Sequence, residues 1–181
     1  MKTNKKLIKF AVILACLLSF TFSANAQRRK APIKGTKPAT TKTAPAAFLT
    51  NSEIKAGAEK VSIQIKNVSK FIYILGGIAQ GIEDLDKDVK AGKVSRTASD
   101  QNTKNKQAVI STISNLRAGL IALEVEFRTK PALRNYNFQI QGISDMTGTA
   151  EDQAAAGQLR ESGKTLLLVI EKLADTLAAL P

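Results

Sequence analysis

The chain contains no histidine, no tryptophan and one cysteine, Cys16. Serine or cysteine nucleophiles that depend on an imidazole base are therefore excluded. So are haem attachment and metal sites built from imidazole or paired thiolates. A lysine base would still be compatible with the composition, and Ser52-Glu53-Ile54-Lys55 is a literal Ser-x-x-Lys match. It lacks the companion Ser-Asp-Asn and Lys-Thr-Gly segments of a penicillin-binding site, and Ser52 reads better as a helix cap. No catalytic residue, cofactor or metal site is expected, and no small-molecule substrate is evident.

Proline is missing from Asn51 to Lys130. An 80-residue stretch without this helix breaker leaves room for long uninterrupted helices. Three of the five prolines instead fall in residues 27–47, QRRKAPIKGTKPATTKTAPAA, which has almost no large apolar side chain. Such a segment buries too little surface to offset its ordering entropy and reads as a disordered linker, assigned to residues 27–50.

Acid is absent from the first 50 residues. Lys2, Lys5, Lys6 and Lys9 precede an apolar run from Phe10 to Phe22, and Ala24-Asn25-Ala26 follows as a small-x-small exit. This is the pattern of a cleavable signal peptide over residues 1–26, with export to the periplasm or the exterior. The alternatives are an uncleaved anchor through residues 7–24 and a lipidated Cys16, and the apolar residues after Cys16 disfavour the second. Arg28-Arg29-Lys30 stands against cleavage, since positive charge just past the cut hinders translocation.

The formal net charge of +12 is concentrated at the N-terminus. Ten of the 27 basic residues lie in residues 1–50, leaving 17 against 15 acids in residues 51–181. The remainder has no basic face of the kind nucleic acid requires. The linker, with six positives and no acid, could make weak contact with an anionic envelope.

Hydrophobic periodicity supplies the fold. Ile54, Val61, Val68, Leu75, Ile82 and Val89 recur every seven residues, with Ala58, Ile65, Ile72 and Ala79 four residues on. Two rows at this spacing form one stripe of a helix over about 51–91, capped by Asn51 or Ser52 and stopped at Gly92. Ile72 is read as mid-core. Gly76, Gly77 and Gly81 suit close helix packing, because no strand precedes them as a phosphate loop requires.

A second helix starts near Ser95 and carries Val109, Ile113, Leu116, Leu120, Leu123 and Phe127 before Pro131 ends it. Acid-first pairs at i,i+4 (Glu83–Lys87, Asp86–Lys90, Glu124–Arg128, Glu126–Lys130) support both helices. In the last third, Leu133, Tyr136, Ile140 and Ile143 are out of phase with Ala156, Leu159, Leu166, Ile170, Leu173, Leu177 and Leu180. A break between them is required and is assigned to Thr147-Gly148-Thr149, with Thr149 and Asp152 as a capping pair. The expected fold is an all-α, elongated antiparallel bundle over residues 51–181. It has three long helices, one of them broken or preceded by a short fourth.

Asp84, Asp86 and Asp88 match the first three ligand positions of a calcium loop. Val89 then takes the turn-glycine position and Ser95 that of the terminal carboxylate, so a solvated acidic face is the better reading. A mismatch between the helices is more informative. The seam of helix two, extended backward, meets Lys106, Asn102 and Ser99, while helix one reaches Asp86 at the same end. This hairpin tip is polar where a core belongs. It reads as a solvated projection, or as a partner patch of Asp86, Asn102 and Lys106. The functional expectation is an exported helical bundle that acts by protein interaction or self-association, as a structural or scaffold element. The alternative is an amphipathic-helix binder of lipid or envelope, which the mixed charge of the polar faces disfavours.

Overall fold

Heptad-spaced apolar residues and a proline-free sequence produce helix α1, Ala46–Lys90, about 68 Å long at 1.5 Å per residue. The computed structural model describes residues 46–181, with side chains described from Thr50 onward. The signal-peptide reading of 1–26 and the linker up to residue 45 lie outside the described residues. Helix α1 begins five residues before the expected start, so 46–50 are helical instead of linker. Ala46, Ala47 and Leu49 are strong helix formers and extend it readily. Asn51 and Ser52 consequently lie inside the helix and cap nothing.

The chain stops α1 with Gly92 at φ 67°. Lys93 N–H donates to Asp88 O at 2.9 Å and Gly92 N–H to Val89 O at 3.0 Å, the two bonds of a Schellman motif. Ser95 then caps α2, Arg96–Thr129, its Oγ accepting from Ala98 N–H at 3.3 Å. After Pro131 the backbone makes a 3-10 turn at Arg134–Tyr136 and a single helical turn, α3, Asn137–Ile140. Helices α4, Ile143–Ala155, and α5, Leu159–Ala179, complete the fold.

Pairs across the elements fix the topology. Lys60 pairs with Glu126 and Asp86 with Lys106, so α1 and α2 run antiparallel. Ser144 pairs with Glu124 and Glu151 with Arg117, which sets α4 antiparallel to α2. Arg160 meets Glu83 and Gly163 meets Leu75, returning α5 to α1. The result is an all-α bundle in which α1, α2, α4 and α5 form a closed ring of neighbours. The segment 131–142 fills the position of the short α4 at the far end: Leu133 and Ile140 are fully buried there, with Tyr136 packed beside them. Leu133 reaches α1 because residue 57 is glycine, where a Cβ would lie 2.7 Å from its Cδ2.

Most of the expected core is buried: Ile54, Val61, Val68, Leu75 and Ile82 from α1, and Val109, Ile113, Leu120, Leu123 and Phe127 from α2. The second row of α1 differs. Ala58, Ile65 and Ile72 are half-buried, and Phe71, Ile78 and Gly57 take the inner positions instead. A seven-residue repeat rotates about 20° per heptad on a straight helix. The row four residues on therefore starts at the flank and reaches the core only at Ala79.

The helix break also lies elsewhere. Thr147, Gly148 and Thr149 sit inside α4, and the chain breaks at Ala156-Gly157-Gln158 with Gly157 at φ 81°. A second Schellman motif closes α4 through Gln158 N–H to Gln153 O and Gly157 N–H to Ala154 O. The seam of α4 runs through Ile143, Thr147, Ala150 and Ala154, residues too small or polar to register as a stripe. The Thr147 hydroxyl is satisfied inside the helix by Ile143 O at 2.7 Å. In α5, Ser162 and Thr176 hold core positions, and Ser162 Oγ donates to Ala150 O across the α4–α5 contact at 2.7 Å. Ala156 is exposed, contrary to expectation.

Candidate functional site

Helix α1 delivers Asp86 and helix α2 delivers Asn102 and Lys106 to one point, so the three residues singled out in the sequence are brought together. Lys106 Nζ lies 2.8 Å from Asp86 Oδ2. Asn102 Nδ2 donates to Asp86 Oδ1 at 3.0 Å and to the Ile82 carbonyl at 3.3 Å. Asn102 is 1% exposed, and the charged pair keeps 21% and 25% of its side-chain exposure at Asp86 and Lys106. This is no solvated projection but a polar layer that seals the core at its α1–α2 end. The Lys106 ammonium meets one oxygen of the Asp86 carboxylate and the Asn102 amide N–H the other.

Neighbouring residues that the sequence reading passed over complete the layer. Asn105 is buried and accepts from Gln101 Nε2 at 2.9 Å. Its signal was present: Asn102, Asn105 and Val109 continue the 3-4 spacing of the α2 seam, whereas Lys106 lies one residue off it. Gly157 places the α4–α5 turn against the carboxylate, a Cβ there lying 3.3 Å from Asp86 Oδ2. Glu83 accepts from both the backbone N–H and Nε of Arg160, each at 2.9 Å, and pins the start of α5 to α1. These partners replace the expected Glu83–Lys87 and Asp86–Lys90 pairs. Likewise Glu124 accepts from Ser144 Oγ at 2.5 Å, whereas Glu126–Lys130 forms as expected. Tertiary partners on a facing helix hold these carboxylates more closely than the next turn of their own helix does.

The carboxylates of this layer are all partnered. Asp86 is engaged on both oxygens, Glu83 is taken by Arg160, and Asp84 is held by Gln80 at 2.7 Å and Lys87 at 3.1 Å. The hydrogen bond from Gln80, then that from Lys87, lowers the Asp84 pKa from its ordinary value. Among the described residues no group of three or more His, Cys, Asp or Glu is placed to hold a metal ion. Ser52, Ser69, Ser111 and Ser114 are exposed helix positions.

A second surface carries more apolar area than the bundle uses. Helix α2 is long and apolar enough to cross a membrane by length and composition, yet only 22% of its most apolar window is buried within the bundle. Ile121 and Val125 are 43% and 39% exposed, and Ala118 and Ala122 on the same outer strip are exposed as well. Ile63 on α1 is 51% exposed. It sits at the level of Ala122, given that Lys60 meets Glu126 and Gln64 meets Gly119. Gly76 and Gly77, expected to admit a neighbouring helix, face outward, and a Cβ at either meets no atom within 4 Å.

Comparison with known proteins gives no match: no family model, no curated protein and no solved structure is similar to the chain.

Proposed function

We propose that the chain is an exported helical-bundle protein that works by protein interaction, as a structural or scaffold element, and performs no catalysis. The observation that carries this reading is the apolar outer strip of α2. Isolated exposed apolar residues are ordinary, but Ala118, Ile121, Ala122 and Val125 recur at 3-1-3 spacing on one face. They stand beside a core that is already closed without them. A contiguous exposed apolar strip is characteristic of a partner-binding face.

The same strip supports a second reading, contact with lipid, in which the bundle opens or lays α2 on a bilayer. Arg117 speaks for the first, because its pairing with Glu151 ties the middle of α2 to α4. A photo-reactive amino acid placed at Ile121 in the full chain, in cells that produce the protein, tests the proposal. The expected result is one discrete protein adduct from position 121 and none from Asp152, an exposed position on α4. Adducts to lipid alone would favour the second reading, and equal labelling from both positions would remove the proposal.

A further inference from the structure

We infer that the end of the α1–α2 hairpin, residues 87–99, is an electrostatic contact for an anionic lipid bilayer. No residue between Ile82 and Asn102 is buried, so this hairpin end extends past the polar layer and belongs to no core. It holds Lys87, Lys90, Lys93 and Arg96 against the single acid Asp88. The tip is thus +3, flanked by the exposed acids Asp84 and Asp100, while the rest of 51–181 carries 13 basic and 14 acidic residues. Lys87 is engaged by Asp84, whereas Lys90, Lys93 and Arg96 form no ion pair with any described residue.

Local helix energetics account for only half of this charge. Lys87 and Lys90 lie in the last turn of α1, where a cation complements the helix dipole. Arg96 opens α2, which has no acid in its first turn, so its charge stands against the dipole and is not explained by the stability of the helix. A residue that breaks a local rule with no compensating contact points to a role outside the fold. The backbone of the tip between Lys90 and Arg96 is also fixed, by the Gly92 Schellman bonds and the Ser95 cap.

The nature of the partner follows from what the tip lacks. No large apolar residue between 87 and 99 is exposed, and Val89 and Val94 are half-buried. Protein interfaces draw their affinity from buried aromatic and large apolar anchors, and the tip offers none. Exposed cations need only an anionic surface, and basic side chains near headgroups each add to binding within a Debye length. This surface is separate from the outer strip of α2, so the two proposals stand or fall independently.

Flotation of the full chain with vesicles of phosphatidylglycerol and phosphatidylcholine, 3:7, at low salt tests it. The linker is basic too, so the comparison is between the wild type and the K90E/K93E/R96E variant, with K90Q/K93Q/R96Q as the milder change. Circular dichroism shows whether each keeps its fold. The inference predicts at least a fivefold drop in the floated fraction on charge reversal and a smaller drop on neutralisation. The wild-type fraction should also fall toward the reversed value at high salt. Equal flotation of all three proteins would overturn it. So would a deca-glutamate peptide that binds the tip with the same charge dependence while the vesicles do not.

Discussion

Asn102 on α2 donates from Nδ2 to Asp86 Oδ1 on α1 at 3.0 Å, while Lys106 Nζ holds the other carboxylate oxygen at 2.8 Å. One acid thereby accepts from a buried amide and a half-buried ammonium at once. Asp86→Ala should cost about 1–2 kcal/mol, because it leaves the amide with only the Ile82 carbonyl and strips Lys106 of its counter-charge. From the sequence, as a solvated charge, the same change would cost under about 1 kcal/mol. Urea unfolding of the two proteins distinguishes the values, and a cost below about 0.5 kcal/mol would mean that the layer is open to water.

Phe71 now occupies the inner position that Ile72 was expected to hold. Phe71→Ala should destabilise by about 3–4 kcal/mol, in the range for a large buried side chain. Ile72→Ala should cost well under half as much. Thermal melts of the pair check the inward face of α1, and the reverse order of effects would require the helix to be rotated.

The fold was legible where large apolar residues mark a stripe. The α1 and α2 seams, the Gly92 stop and the Ser95 start all follow from spacing and cap chemistry. Legibility failed where burial is carried by small or polar residues. Thr147, Gly148, Ala150, Ala154, Ser162 and Thr176 pack between helices without registering in a hydrophobic pattern. The break consequently appeared at Gly148, when Gly157 carries the positive φ. Asp86, Asn102 and Lys106 were identifiable from seam extrapolation. Their enclosure was not, because it involves Gly157, which arrives from a distant part of the chain.

Two glycines of α1 should respond with opposite sign to the same substitution. At Gly77 a methyl group enters open space, so Gly77→Ala should stabilise by about 0.5–1 kcal/mol through helix propensity. At Gly57 the new Cβ would lie 2.7 Å from Cδ2 of the fully buried Leu133. There the same gain is outweighed by overpacking of about 1–3 kcal/mol. Chemical denaturation of both variants reads the signs, and stabilisation at Gly57 would mean that Leu133 is free to move.

Glu126 contributes to the acid limb of stability. Burial alone would raise its pKa, but hydrogen bonds from Lys130 and Lys60 outweigh it and hold the carboxyl below its ordinary value of 4.5. A lowered folded-state pKa contributes stability that is present above the unfolded value and lost as pH falls through the folded one. Relative to Glu126→Gln, the wild type should be the more stable at pH 6, and the difference should shrink steadily below pH 4.5. A difference independent of pH across that window would show that the Lys60 and Lys130 contacts do not act on the ionised carboxylate.

The proposed role rests on the outer strip of α2, and a double substitution there tests it most directly. Ile121→Lys with Val125→Lys keeps helix propensity and touches no buried residue, so the melting temperature should stay within a few degrees of the wild type. With the photo-reactive group at Ala118 on the same strip, the protein adduct formed by the wild type should disappear in the double variant. An adduct of undiminished yield from a correctly folded Ile121→Lys, Val125→Lys protein would contradict the assignment of this face as the site of interaction.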